Sequence, residues 1–276
     1  MRTALITGAS DGIGEQAARR LAALGWQVAV IGRDPERTRK VARELGALHY
    51  IADFSRLSEV RDLADKLLRD YPRIDLLANN AGGMFDRQPL TEDGVEMTFQ
   101  VNHLAHFLLT NLLLERLMAC KAKVISTSSV GHRSIGLFFD LDDVDNPRRY
   151  SQHLAYGNAK LANILFTREL DRRFGDAGIA AAAFHPGLVA SSFAGKSRSP
   201  MRYVYHTWLS KALGMISPEM GADTLVWLAE SQPGLDWQPG QYYARRKQAA
   251  TSRKAKDLAL AEALWEKSRA LCARFL

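Results

Sequence analysis

Tyr156 and Lys160 stand four residues apart in a segment, Ser151 to Phe174, whose apolar spacing predicts a long helix. Residues four apart share one face of a helix, so the two side chains are expected to meet. An ammonium beside a phenol favours the phenolate and lets the phenol exchange a proton near neutral pH. The pair therefore predicts general acid–base chemistry, although this spacing also arises by chance in a chain with 8 tyrosines.

A glycine-rich turn, Thr7 to Gly14 (TGASDGIG), separates a predicted strand from a predicted helix. Gly8 permits a tight exit from the strand, Gly12 lets the backbone approach a pyrophosphate, and Gly14 lets the helix pack on the strand. Phosphates would lie at the helix N-terminus, where free N–H groups and the helix dipole favour anions. The turn predicts a dinucleotide site. Its glycines predict contacts at Gly8, Gly12 and Gly14, and Ser10, Asp11 and Ile13 lie in the same turn as further candidates.

The end of the second predicted strand bears on which dinucleotide is bound. An acidic residue is usually expected there to hold the ribose diol, but Gly32 occupies the position and Arg33 follows. An arginine suits a 2′-phosphate, so the sequence favours NADP(H) over NAD(H). Asp34 is the one residue that argues for NAD(H), but its place before Pro35 is typical of a helix cap.

Hydroxyl side chains end the fifth predicted strand at Ser126 to Ser129 (STSS). Open α/β sheets bind their ligands at the carboxyl ends of the strands. A serine there can hydrogen-bond a substrate oxygen, although serine is also common in ordinary turns after strands.

Alternating strands and helices must position these residues. Short apolar runs predict strands at 3–7, 28–31, 47–52, 74–78, 123–127, 179–184 and 241–243, with helices between them, among them one long helix at 97–118. This alternation predicts a single α/β domain over residues 1–276: a doubly wound, Rossmann-like, mostly parallel seven-stranded sheet with helices on both faces. Two long segments break the pattern. They are an insert at 131–150 near the active site and a predicted substrate lid at 191–217.

Composition excludes several classes of protein. The chain has 276 residues, of which 47% are hydrophobic and 24% charged, as in ordinary globular proteins. Cys120 and Cys272 are far apart, which predicts no metal site and fits a reducing cytoplasm. The net charge is +7, but no nucleic-acid motif accompanies it, so no nucleic-acid partner is expected. No apolar run approaches the ~20 residues of a membrane span, and no signal peptide is evident.

In their order along the chain, these motifs resemble those of the short-chain dehydrogenase/reductases. The matching pieces are TGASDGIG, DFS from Asp53, NNAG from Asn79, VNHLAHFLLT from Val101, STSS, YGNAK and HPGLVAS from His185. The resemblance extends over nearly the whole chain. VNHLAHFLLTNLL, AYGNAKLANILFTREL, GADTLVWLA and ALWEKS look most like the retinol-dehydrogenase-like branch.

The resemblance implies reversible hydride transfer between NADP(H) and a carbonyl or alcohol substrate, expected to be apolar. It implies that Tyr156 is the catalytic acid–base and that Lys160 holds the nicotinamide ribose. Ser129 would orient the substrate oxygen, with Ser128 as the alternative. Asn102 would kink its helix and hold a water for the proton relay. The 2′-phosphate pair would be Ser10 and Arg33. The other implied cofactor contacts are Asp53, Phe54, Asn80, Ala81, Gly82, Pro186, Gly187, Val189 and Ser191.

Two further functions are left open. One is a sensor or scaffold that binds the dinucleotide without turnover, although such relatives usually lack the tyrosine or the lysine. The other is action at a membrane surface through an apolar face in the predicted lid. That face would comprise Tyr203, Tyr205, Trp208, Leu209 and Leu213, but a lid or dimer contact is the simpler interpretation. A homodimer or homotetramer is expected by analogy only, and the sequence does not identify the substrate.

Overall fold

The central sheet of the computed structural model has eight strands within the residues that the structure describes, namely 1–85, 90–134, 138–145, 147–148, 150–189 and 216–276. The strands are β1 (Thr3–Thr7), β2 (Gln27–Gly32), β3 (Leu48–Ile51), β4 (Leu76–Asn79), β5 (Lys123–Thr127), β6 (Ala180–His185), β7 (Gln241–Ala244) and β8 (Lys247–Gln248). Their order is β3-β2-β1-β4-β5-β6-β7-β8, and neighbours are parallel except β7 and β8. This confirms the predicted doubly wound, mostly parallel sheet.

The eighth strand corrects the predicted count of seven. β8 has only two residues and turns back on β7 through Arg245 and Arg246, whose φ angles of 51° and 59° lie in the left-handed region. Two residues are too few to carry an alternating pattern, and turns of this kind are usually signalled by asparagine or glycine. Hydrophobic periodicity in the sequence therefore could not predict this strand.

Helices cover both faces of the sheet. They are α1 (Gly12–Ala23), α2 (Pro35–Leu45), α3 (Leu57–Asp70), α4 (Met97–Phe99), α5 (Ala105–Leu112), α6 (Leu114–Ala119), α7 (Gly131–Ser134), α8 (Gln152–Phe174), α9 (Pro218–Gly221), α10 (Asp223–Glu230) and α11 (Leu258–Leu271). Successive strand side chains point to opposite faces, so Leu5 packs with α3, α5 and α8, whereas Ala4 and Ile6 pack with α1, α2 and α10. Two apolar cores result, one on each face.

The helix predicted at 97–118 is interrupted. A π-helical turn, Gln100–Leu104, joins α4 to α5, and the Ala105 N–H donates to the Gln100 carbonyl five residues back. The Asn102 side chain accounts for the change, because its Nδ2 donates to the Thr98 carbonyl at 2.8 Å. In a regular α-helix that carbonyl would accept the backbone N–H of residue 102.

The two segments that break the alternation are described unequally. The insert is described over 131–134, 138–145, 147–148 and 150, and it begins with α7. The predicted lid at 191–217 lies outside the described residues except for Ile216 and Ser217, and Ser191 lies outside them as well. Within the described parts of the chain, no helix combines the length and apolar character needed to cross a membrane. The single-domain assignment stays a prediction.

Candidate active site

The turn between β1 and α1 depends on its glycines. Gly8 has a φ of +66°, which L-residues rarely adopt. A Cβ on Gly14 would lie 2.3 Å from the Gly8 carbonyl oxygen, so α1 can approach the turn only without a side chain there. A glycine turn that leads into a helix N-terminus fits a pyrophosphate, so the residues present suit a dinucleotide.

A hydrogen-bonded junction ties this turn to the ends of β4 and β5. The Thr7 hydroxyl oxygen accepts the backbone N–H groups of Asn80 and Ala81, at 2.9 and 3.0 Å. The Asn80 Nδ2 donates to the Thr7 carbonyl at 3.0 Å, and its Oδ1 accepts the Thr127 hydroxyl at 3.2 Å. Three strand ends are thereby held together, which brings the predicted adenosine-side residues Asn80 to Gly82 against the glycine turn.

Tyr156 and Lys160 lie together on α8, as their spacing predicted. The Lys160 Nζ is 5.5 Å from the centre of the Tyr156 ring and donates to the Thr127 carbonyl at 3.1 Å. Lys160 is only 2% exposed, and this burial lowers its pKa to about 7. A group with a pKa near 7 changes protonation readily when another charge is brought beside it.

Gly82 brings the π-helical turn next to this lysine. A Cβ on Gly82 would lie 2.4 Å from the Asn102 Oδ1 and 3.3 Å from the Lys160 Nζ, so the three residues meet where no side chain intervenes. The Asn102 side chain also brackets Gly83, because its Nδ2 donates to the Gly83 carbonyl at 2.8 Å and its Oδ1 accepts the Gly83 N–H at 3.2 Å. Asn102 is thus a rigid support for the loop after β4.

The neighbouring serines after β5 have different surroundings. Ser128 is buried, and its hydroxyl donates to the Lys160 carbonyl at 2.6 Å. Ser129 is half-buried, and its Oγ accepts the Gly131 N–H at 3.2 Å, which leaves the hydroxyl proton for another acceptor. The buried His132 holds this loop through its Nδ1, 2.6 Å from the Ser129 carbonyl oxygen. A Cβ on Gly131 would lie 3.6 Å from the Ser129 Oγ and 4.0 Å from the Gly157 Cα, which places Ser129 close to the chain beside Tyr156.

Arg33 and Asp34 occupy the turn between β2 and α2. Arg33 is exposed, whereas the Asp34 Oδ1 accepts the N–H groups of Glu36 and Arg37, both at 3.0 Å, as a helix cap does. Arg37, which the sequence interpretation passed over, places its guanidinium 3.2 Å from the Asp11 carboxylate beside the glycine turn. Its place in the first turn of α2, three residues after the Asp34 cap, was the signal that could have found it.

The remaining predicted contacts are distributed along the same edge of the sheet. The Asp53 Oδ1 accepts the Ser55 N–H at 3.0 Å and the Ser55 hydroxyl at 2.9 Å. The Phe54 ring is buried edge-on against His106, with ring centres 5.1 Å apart, so only its backbone is left for a ligand. After β6, Gly187 has a φ of +103°. Pro186, Gly187 and Val189 are partly exposed.

Sequence reasoning assigned no chemical role to two buried histidines that lie under the site. The His106 Nδ1 is 3.2 Å from the Asn102 carbonyl oxygen and its Nε2 is 3.0 Å from the Thr7 Oγ1. Because a carbonyl can only accept, Nδ1 carries the proton. The unprotonated Nε2 faces the Thr7 hydroxyl, which also donates to the Ala78 carbonyl at 3.1 Å. Burial lowers the pKa of His106 to about 3, so the ring stays neutral. His103 lies one turn earlier, and its ring nitrogens face Asn163 and Ser268 instead.

Comparison with known proteins finds similar sequences and folds. A family model described as short chain dehydrogenase matches residues 2–138. A provisionally named daunorubicin C-13 ketoreductase of Streptomyces sp. (strain C5) is 41% identical, over 98% of this chain and 92% of its own. Retinol dehydrogenase 13 of Homo sapiens is 37% identical, over 98% of this chain and 84% of its own. A crystal structure of an uncharacterized protein from Mycobacterium paratuberculosis has a TM-score of 0.77 and 35% identity, over 99% of this chain and 94% of that one.

Proposed function

Since the chain belongs to the short-chain dehydrogenase/reductase family, in its retinol-dehydrogenase-like branch, and is an oxidoreductase of carbonyl and alcohol groups, we propose that it transfers hydride between NADP(H) and an apolar carbonyl or alcohol. The observation that carries the proposal is the position of Tyr156 and the buried Lys160 on one face of α8, beside the loop that holds Ser129. An acid–base, a cation and a hydroxyl donor thus meet at the carboxyl edge of the sheet.

In the proposed mechanism, side chains of the protein donate the proton and orient the substrate oxygen. When bound, the nicotinamide supplies or accepts the hydride. In the direction of reduction, the Ser129 hydroxyl donates a hydrogen bond to the substrate oxygen and orients it. Tyr156 gives its phenolic proton to that oxygen as negative charge develops there. The Lys160 ammonium then stabilises the phenolate that remains, and in the oxidative direction the phenolate takes the proton back.

The proposed cofactor contacts follow the edge of the sheet from β2 to β6. The glycine turn and the start of α1 would hold the pyrophosphate, and Lys160 the nicotinamide ribose. The loop after β6 would face the nicotinamide. The full proposed set is Gly8, Ser10, Asp11, Gly12, Ile13, Gly14, Arg33, Asp53, Phe54, Asn80, Ala81, Gly82, Tyr156, Lys160, Pro186, Gly187, Val189 and Ser191.

Apolar side chains around this edge support an apolar substrate. Met84 and Phe85 follow β4 and are partly exposed, Phe138 in the insert is 71% exposed, and Leu188 after β6 is 50% exposed. Apolar surface beside polar catalytic groups is typical of small-molecule sites. Phe139, by contrast, is buried in the core. A homodimer or homotetramer and a cytoplasmic location stay predictions.

Ser129→Ala is expected to lower kcat for carbonyl reduction by about a hundredfold, because one donor to the developing oxyanion is lost. Ser128→Ala serves as the matched control. It removes a buried hydroxyl that donates to the Lys160 carbonyl, so it is expected to lower the melting temperature. Its loss of kcat should be smaller than that of Ser129→Ala. Steady-state kinetics and thermal unfolding of both variants decide the assignment. A larger kcat loss in Ser128→Ala would reverse it.

The preference for NADP(H) is tested by titrating the protein with NADPH and NADH while following cofactor fluorescence. Gly32 brings no carboxylate to hold a ribose diol, and a side chain there would meet the Thr38 Oγ1 at 2.4 Å and the Ser10 Oγ at 2.9 Å, so a neighbouring side chain would have to move. The exposed Arg33 is the cation that directly follows β2. Arg33→Ala is therefore expected to weaken NADPH about tenfold or more and to leave NADH unchanged. Arg39→Ala, which removes an exposed arginine further along α2, is the control.

Other outcomes of this titration would contradict the proposal. Tighter binding of NADH than of NADPH by the unmodified protein would overturn the cofactor assignment. Absence of binding by either cofactor would overturn the enzymatic function. Tight binding without turnover of any carbonyl in a broad panel would favour the dinucleotide-binding sensor or scaffold instead.

A further inference from the structure

A chain of buried hydrogen bonds starts at the carbonyl that holds Lys160. The Thr127 carbonyl accepts from the Lys160 Nζ at 3.1 Å and also from the Asn163 Nδ2 at 3.0 Å. The same Nδ2 donates to the Asn102 carbonyl at 3.0 Å. Asn163 is 2% exposed and lies three residues after Lys160 on α8. One amide group thus bridges the strand end that binds the lysine and the π-helical turn.

The direction of every bond in this chain follows from its acceptors. Two carbonyl oxygens can only accept, so they fix Asn163 with its Nδ2 toward them and its Oδ1 away. The Oδ1 lies 3.3 Å from the His103 Nδ1, which must therefore carry the proton. The His103 Nε2 is then an acceptor, and it lies 3.0 Å from the Ser268 Oγ, which donates. Burial lowers the pKa of His103 to about 4, so this neutral tautomer persists at physiological pH.

The last member of the chain belongs to the C-terminal helix. Ser268 lies on α11, is fully buried, and is 165 residues from His103 in sequence. A second contact joins the C-terminal segment of the polypeptide to the π-helical turn. Arg274 forms an ion pair with Asp93, and the Asp93 Oδ2 accepts the Gln100 Nε2 at 2.9 Å. The C-terminal segment therefore meets the network at Ser268, and it is joined to the first residue of the π-helical turn through Asp93.

We propose that Asn163 is a positioning residue that fixes Lys160 for the reaction, and that the C-terminal helix secures Asn163 through His103 and Ser268. The inference rests on the proposed role of Lys160. The lysine has a flexible side chain with four methylenes, and a carbonyl that could move would not hold its ammonium in one place. Asn163 immobilises that carbonyl, since a buried amide with its donors and acceptor satisfied has no equally good alternative position.

Two variants break the network at different points. Asn163→Leu keeps most of the side-chain volume but removes both donors. His103→Phe removes the contacts to Asn163 and Ser268, and the Phe ring suits a site whose neighbours include Phe99 and Phe166, with ring centres 5.0 and 6.0 Å away. Asn111→Leu is the matched control, because the Asn111 amide donates to the Phe107 carbonyl outside the network.

The first measurement is the titration of lysine side chains labelled with ¹³C at Cε, by NMR, in the protein without cofactor. Lys160 is assigned by the signal lost in Lys160→Met. Burial also lowers the pKa of Lys123 to about 8, so its distant signal is an internal reference. In Asn163→Leu and His103→Phe, we expect the Lys160 midpoint to move by about half a pH unit or more. The Lys123 midpoint should stay in place, and Asn111→Leu should change neither.

The second measurement is steady-state reduction of a carbonyl with NADPH. Asn163→Leu is expected to lower kcat about tenfold to a hundredfold, because a displaced ammonium no longer faces the phenolate. His103→Phe is expected to lower it less. His103→Asn, which retains a donor near the position of Nδ1, is expected to recover part of the loss.

Wild-type kcat together with an unmoved Lys160 midpoint in folded Asn163→Leu and His103→Phe would overturn the inference. If Asn163→Leu does not fold, His103→Phe decides. If the unmodified protein reduces no carbonyl, the proposed function fails, and the Lys160 titration still decides whether Asn163 positions the lysine.

Discussion

Tyr156→Phe is expected to lower kcat for carbonyl reduction by about a thousandfold while the Kd for NADPH changes less than about threefold. The variant removes one oxygen atom, which in the proposed mechanism is the only group that gives its proton to the substrate. The ring, its packing on α8 and the Lys160 Nζ 5.5 Å from the ring centre are retained. Stopped-flow and steady-state assays of NADPH oxidation, with NADPH fluorescence for binding, measure the two quantities.

Tyr50→Phe is the matched control for this result. It removes a tyrosine hydroxyl that donates to the Asp70 carboxylate at 2.8 Å, on β3 and α3, away from the proposed site. We expect a lower melting temperature and an unchanged kcat. If Tyr156→Phe turned over like the unmodified protein, another residue would have to supply the proton.

Gly14→Ala is expected to weaken NADPH about a hundredfold, because a displacement of about 1 Å in the turn separates its N–H groups from the pyrophosphate. The added Cβ would lie 2.3 Å from the Gly8 carbonyl oxygen and 2.8 Å from the Gly8 carbonyl carbon. These are backbone atoms that cannot rotate away, so α1 must move. Overpacking of this kind costs about 1–3 kcal/mol, so we also expect a lower melting temperature in a protein that still folds.

Gly46→Asn separates this effect from a general loss of stability. Gly46 ends α2 with a φ of +60°, and a Cβ there would meet nothing within 4 Å. Asparagine tolerates the left-handed region better than other side chains, so the variant should fold and bind NADPH normally. Unchanged NADPH binding in Gly14→Ala, measured in the same titration, would contradict the proposed pyrophosphate site.

Much of the fold was predictable because its signals are local. The strands from β1 to β7 are apolar runs of four to six residues separated by helical patterns, and this alternation by itself implies a parallel sheet. The π-helical turn at Gln100–Leu104 was not predictable in this way, since one inserted residue barely disturbs an apolar pattern. It depends on the Asn102 amide reaching both Thr98 and Gly83, and Gly83 is 19 residues away.

The candidate site likewise has parts that local sequence predicts and parts that only the tertiary structure distinguishes. The glycine turn and the Tyr156–Lys160 pair are short motifs whose geometry follows from one turn and one helix, so the sequence alone predicted them. Adjacent serines cannot be told apart by spacing. Only the tertiary structure separates Ser128, whose hydroxyl is used on the Lys160 carbonyl, from Ser129, which is half-buried beside Gly131.

The sequence by itself determined the family resemblance, the order of the elements and the residues proposed to act on substrate and cofactor. The tertiary structure alone decided what supports them. Asn163, His103 and Ser268 stand in three separate segments that resemble the family, and nothing in those segments shows that the three side chains meet. In the structure they form one directed chain of hydrogen bonds that ends at the Thr127 carbonyl, the partner of Lys160. The physical reason is the sequence distance over which each signal acts. Periodicity reports which face of an element is buried, whereas a buried polar group needs a specific partner, and that partner can come from any part of the chain that folding brings near.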